Sequence, residues 1–101
     1  MLANQARGEA VLTVNGAPVR LCLTLGALAE LEAAFEVSSL AELSERLAAL
    51  TASDLLLVLS ALTSGGGEPM SGSELAAARI DPREAADAVA RCFRLAFDDG
   101  A

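Results

Sequence analysis

The 101-residue chain sets 14 acidic side chains against 7 basic ones, and its formal charge of −7 is unsuited to a nucleic-acid backbone or an anionic membrane. Its basic residues are all Arg, spread from Arg7 to Arg94, so no clustered cationic groove is encoded. A composition 53% hydrophobic and 21% charged, with Phe35, Phe93 and Phe97 as the whole aromatic content, predicts one folded domain over residues 1–101 with a mostly helical Leu, Ala and Val core.

The first element is a β-hairpin over residues 9–24. Glu9 to Val14 and Val19 to Thr24 alternate apolar and polar residues, and Asn15-Gly16 supplies the positive-φ pair of a tight turn. A two-residue loop pairs Leu12 with Val19, whereas a four-residue loop pairs it with Leu21. Both registers put Ala10, Leu12, Val14, Val19, Leu21 and Leu23 on one face, with Glu9, Thr13, Arg20 and Thr24 on the other.

From Leu25 the period changes to that of a helix, and residues 25–97 read as four to five helices, giving an α+β fold that is mostly α. Leu28, Leu31 and Phe35 stripe the first helix, which runs to about Glu36. Ser39 and Glu42 form a capping box for the second, whose packing face is Leu40, Leu43, Leu47 and Leu50, with Glu42 and Arg46 as an i,i+4 ion pair. Thr51 to Asp54 opens a third helix ending near Ser64, before Gly65-Gly66-Gly67. Ser71 to Glu74 caps a short fourth helix through Arg79. Asp81-Pro82-Arg83-Glu84 starts a last helix to about Phe97, packing through Ala86, Val89, Phe93 and Phe97, with Asp87–Arg91 and Arg94–Asp98 as exposed pairs. Residues 98–101 are a tail.

No pattern for chemistry stands out. The absence of His excludes Ser-His-Asp and Cys-His arrangements. Glu30 with Glu32, or Asp98 with Asp99, could be nominated as carboxylate pairs, but i,i+2 residues point apart on a helix. The glycine triplet lacks the Lys of a phosphate loop and reads as a hinge. Cys22 and Cys92, seventy positions apart, read as reduced thiols of a cytoplasmic protein, Cys22 partly covered on the polar side of its strand. The longest run of large apolar residues, Leu55 to Leu59, is too short to span a membrane, and the N-terminus has no signal-peptide pattern. The chain is therefore expected to need no cofactor or metal, to catalyse nothing and to act by binding protein.

The third helix offers the candidate contact. Leu55, Val58, Leu59 and Leu62 suffice for an inward stripe, which leaves Leu57 on a face with Ser53, Ser60 and Ser64, and Leu56 at its flank. Either Leu57 is covered by another element, or Leu56 and Leu57 form an exposed partner-binding patch.

The stretch Val14-Asn15-Gly16 through Arg20-Leu21-Cys22-Leu23-Thr24-Leu25-Gly26-Ala27-Leu28-Ala29-Glu30-Leu31-Glu32 resembles a family of small tail proteins of phages and gene transfer agents. Ser39-Leu40, the Asp54-Leu55-Leu56 helix ending at Gly65-Gly66-Gly67, and the closing Arg94-Leu95-Ala96-Phe97 agree with it. The resemblance implies a tail assembly chaperone in the bacterial cytoplasm that holds the helical tape-measure protein until tube subunits polymerise, with homo-oligomers as an option. Descriptions of the family as a tail-tube protein imply instead a structural, particle-associated component. A small regulatory binding module is the reading from another class.

Overall fold

In the computed structural model the described residues are 9–97, excluding the side chains of 96 and 97. The segment before Glu9, the Arg94–Asp98 pair, the packing of Phe97 and the Asp98–Asp99 pair lie outside them. Strands β1 (Glu9–Val14) and β2 (Ala17–Cys22) form an antiparallel hairpin, followed by helices α1 (Leu25–Phe35), α2 (Leu40–Leu47), α3 (Ala52–Gly65), α4 (Gly72–Ala77) and α5 (Pro82–Phe97), an α+β fold.

Local chemistry explains most element boundaries. Asn15 and Gly16 both have positive φ, which selects the two-residue turn and pairs Leu12 with Val19. The turn is also tied at long range: the Asn15 amide donates to the Arg79 carbonyl, and the Asn15 side-chain oxygen accepts from the Arg79 amide at 2.7 Å. Thr24, Ser39, Thr51 and Ser71 each cap a helix N-terminus with a side-chain oxygen, a bond worth about 1 kcal/mol per helix. The α1 C-cap, Glu36, takes the left-handed conformation that Gly usually supplies.

Two expected interactions are replaced. Glu42 accepts from the Ser38 amide and hydroxyl instead of closing the box on Ser39, and Arg46 turns from Glu42 to Asp54. The Glu84 carboxylate accepts from the Thr13 amide on the free edge of β1, while the Asp81 carboxylate accepts from the Arg83 amide.

The hairpin is packed at both edges. Helix α5 lies along β1, and α3 reaches β2 through its C-terminal end. There Gly65 and Gly66 approach so closely that a Cβ on either would strike the Cys22 or Arg20 carbonyl. The triplet is therefore not simply a hinge, because two of its glycines seat helix against strand. Ala10, Leu12, Val14 and Leu21 of the hairpin join Leu31, Leu43, Val58, Leu59, Leu62 and Cys92 in one buried cluster, each large side chain contributing roughly 1.5–3 kcal/mol. Glu9 and Cys22 on the opposite face are buried as well, so the polar side of the hairpin is open to solvent only toward the turn, where Thr13 and Pro18 are exposed.

Candidate functional site

Helix α5 carries two adjacent apolar stripes. Ala85, Ala88 and Cys92 are buried in the core, whereas Ala86 is exposed and Phe93 only half-buried. The expected packing face of Ala86, Val89 and Phe93 is thus divided, with Val89 at the boundary between core and surface. Helix α2 and the turn after it behave alike: Leu43 is buried, Leu47 and, beyond the helix end, Leu50 are half-buried, and Leu40 is 49% exposed.

These incompletely buried stripes meet in one place. Leu40, Leu43, Ser44 and Leu47 form one wall of a groove of about 1080 Å³, and Pro82, Ala86, Val89 and Phe93 form the other. Leu50, Thr51 and Leu55, where the chain turns into α3, close its floor. Helix α2 packs on α1 and stands off from α5, which keeps the walls apart. Helices in contact lie about 8–10 Å apart, so separated amphipathic walls leave room for an inserted apolar element.

The α2 wall is held from behind. Both terminal nitrogens of Arg46 donate to the Asp54 carboxylate at 3.2 Å, and the guanidinium carbon lies 4.8 Å from the centre of the Phe35 ring. Asp54 simultaneously accepts from the Thr51 amide, which holds its carboxyl below the usual carboxylate value, with the Thr51 hydroxyl and Arg46 acting in the same direction.

The groove is built for contact rather than reaction. Its polar lining consists of the Ser44 and Thr51 hydroxyls and the Arg94 guanidinium. Among the described residues no group of three metal-ligating side chains forms a candidate metal site. Neither cysteine is held in a disulfide and both are buried; burial, chiefly, and the neighbouring Cys22 raise the Cys92 thiol to about 12, far from a nucleophilic thiolate at neutral pH. No helix among the described residues is long and apolar enough to cross a membrane.

Leu57 is 43% exposed, so the reading of a helix buried all round does not apply to it, while Leu56 is half-buried against the core. Neither residue lines the groove. Periodicity singled out the groove residues but placed them inside; the warning was the width of the α5 stripe, since residues 85, 86, 88, 89, 92 and 93 exceed what one packing face needs.

The sequence pattern of one family, described as phage tail tube protein, GTA-gp10, matches residues 7–99. The chain belongs to this family. That description names a structural component of a tail and no catalytic activity. No curated protein and no solved structure matches the chain.

Proposed function

We propose that the chain is a structural component of a phage-type tail that acts without catalysis, seating an apolar helical segment of a neighbouring tail protein in the α2–α5 groove. The observation that carries this reading is the pairing of two amphipathic stripes across a gap neither fills. A groove of this kind docks an amphipathic helix through residues spaced i, i+3, i+4 and i+7. The test is recovery of the chain from purified particles. Quantitative mass spectrometry should find it in fixed ratio to other tail proteins, and Ala86→Arg, placed on the exposed groove wall, should lower its incorporation. Particles that contain none of the chain overturn the reading.

The closed hairpin supports a second reading, the cytoplasmic tail assembly chaperone of the tape-measure protein. A tube ring built by strand pairing needs open sheet edges, and here Glu84 occupies the β1 edge while Gly65 and Gly66 press on that of β2. A chaperone instead needs a helix-binding face and lowers the free, aggregating client by mass action. Under this reading the tape-measure protein stays soluble only when co-expressed with the chain. Equal solubility without it removes the chaperone role.

Leu57, with Leu56 beside it, is proposed as a smaller contact point separate from the groove. Leu57→Asp should weaken partner binding and leave the melting temperature within a few degrees, because surface changes usually cost under about 0.5 kcal/mol. Global unfolding of that variant would assign Leu57 to the fold alone.

A further inference from the structure

Charge is unevenly placed around the groove. Among the described residues that line it, Arg94 is the one charged side chain, in a chain whose formal charge is −7. Arg83 stands eleven residues earlier on α5, about three helical turns, so the two arginines share one outer edge of the helix about 16 Å apart. Both are exposed, and neither forms an ion pair among the described residues. The Asp81 carboxylate accepts from the Arg83 amide, and Asp87 and Arg91 lie farther round α5, outside the groove lining. The opposite rim, on α2, is Ala41, Ser44 and Ala48, all exposed and uncharged. Glu42, Glu45 and Arg46 face the back of that helix, in a separate recess with Glu36 and Val37. The trough is therefore apolar along its walls, neutral at its α2 edge and cationic at its α5 edge.

We propose that the segment seated in this groove is an amphipathic helix of a partner protein that carries carboxylates along one edge of its apolar face, the edge that lies against α5. The proposal deepens the docking reading and rests on it. An apolar face is what any helical occupant of the groove must offer; the arginine edge selects among such helices. A guanidinium fork binds a carboxylate through two parallel N–H···O bonds, whereas Lys or Arg at the same place meets like charge. Seated beside the covered apolar walls, these pairs are screened less than pairs in open water. The small, uncharged α2 edge makes no matching demand and lets the partner backbone come close. A helix acidic on one edge only is thereby fixed in chain direction as well as in rotation. Elsewhere the net charge of −7 repels an acidic helix, which confines the attraction to this rim.

Fluorescence anisotropy of the full chain with synthetic helical peptides as long as α5 provides the test. Three peptides share one Leu- and Ala-built apolar face and differ along a single edge, which carries Glu, Gln or Lys. The Glu peptide should bind several-fold tighter than the Gln peptide and the Lys peptide weakest, the reverse of the order set by net charge alone. Arg83→Glu combined with Arg94→Glu, both at exposed positions, should leave circular dichroism unchanged and turn the preference toward Lys. Leu40→Gln, an uncharged change at an exposed apolar position of the groove, should weaken all three peptides alike. Equal binding of the three, a preference for Lys by the parent chain, or a preference for Glu that survives the double arginine change overturns the proposal. Where binding blind to the edge is still weakened by Leu40→Gln, the docking reading stands without the acidic edge. Where none of the three peptides binds, the groove takes no helix and both fall.

Discussion

Arg46 and Asp54 join the second helix to the third by a two-pronged contact, with both guanidinium nitrogens 3.2 Å from the carboxylate oxygens. The same carboxylate closes the capping box of α3 by accepting from the Thr51 amide. One side chain thus starts a helix and fixes the neighbouring wall of the groove. Asp54→Ala should remove both effects. Its melting temperature is expected to fall by roughly 5 °C, the scale on which loss of one cap registers in a domain of this size. A melting curve identical to that of the parent would show that the contact holds nothing.

Acid should probe the same carboxylate. The Asp54 carboxyl is held below its ordinary value of 3.8, and Glu42 below 4.5 by the Ser38 amide and hydroxyl. In the window below those ordinary values the unfolded chain binds more protons than the folded one. Stability is therefore complete above them and is lost as pH falls through the lower folded values. Urea midpoints should decline below about pH 4.5. Asp54→Asn should flatten part of that decline, and an unchanged acid limb would remove Asp54 as a contributor.

The hairpin and the helix caps were legible because they are written in neighbouring residues: Asn15-Gly16 fixes its own turn, and Ser71 and Glu74 close their own box. Contacts across the chain were not legible. Nothing local distinguishes Glu42–Arg46 from Arg46–Asp54, or tells Glu84 to bind Thr13 71 positions away. The groove lies between these cases. Periodicity identifies Leu40 and Phe93 as members of apolar stripes, but a stripe has the same spacing whether it meets the core or an absent partner. Only the distance between α2 and α5 decides.

Gly65 and Gly66 give a prediction whose sign is informative. A Gly→Ala change inside a helix ordinarily gains about 1 kcal/mol. Here the added methyl would meet the Cys22 or Arg20 backbone carbonyl, and overpacking of that kind costs about 1–3 kcal/mol. Gly65→Ala and Gly66→Ala should therefore both destabilise in urea titrations. Gly72→Ala, in α4 with open space around its Cβ position, should not. Stabilisation by Gly65→Ala would mean that α3 does not press on β2.

Glu36 should respond in the opposite sense. It ends α1 at φ 56°, a conformation costing a non-glycine residue about 1–2 kcal/mol, and its exposed side chain makes no compensating bond among the described residues. Glu36→Gly removes that strain but gives the unfolded chain more freedom, leaving a net gain of about 0.5–1 kcal/mol. A loss of stability would show that the Glu36 side chain contributes to the fold.

Cys92 provides the test of the packed interior from the alkaline side. Its thiol is raised from 9.0 to about 12, first by burial and then by the nearby Cys22. Between those values the unfolded chain releases a proton that the folded chain retains, so stability must fall as pH rises above about 9. At pH 8 a thiol-reactive disulfide reagent should titrate almost no sulfur in the native protein and two thiols per chain in denaturant, since both cysteines are buried and neither is in a disulfide. Cys92→Ala should remove part of the alkaline loss. Rapid native reaction of Cys92 would mean that α5 opens away from β1, exposing the core stripe as well as the groove wall on its other side.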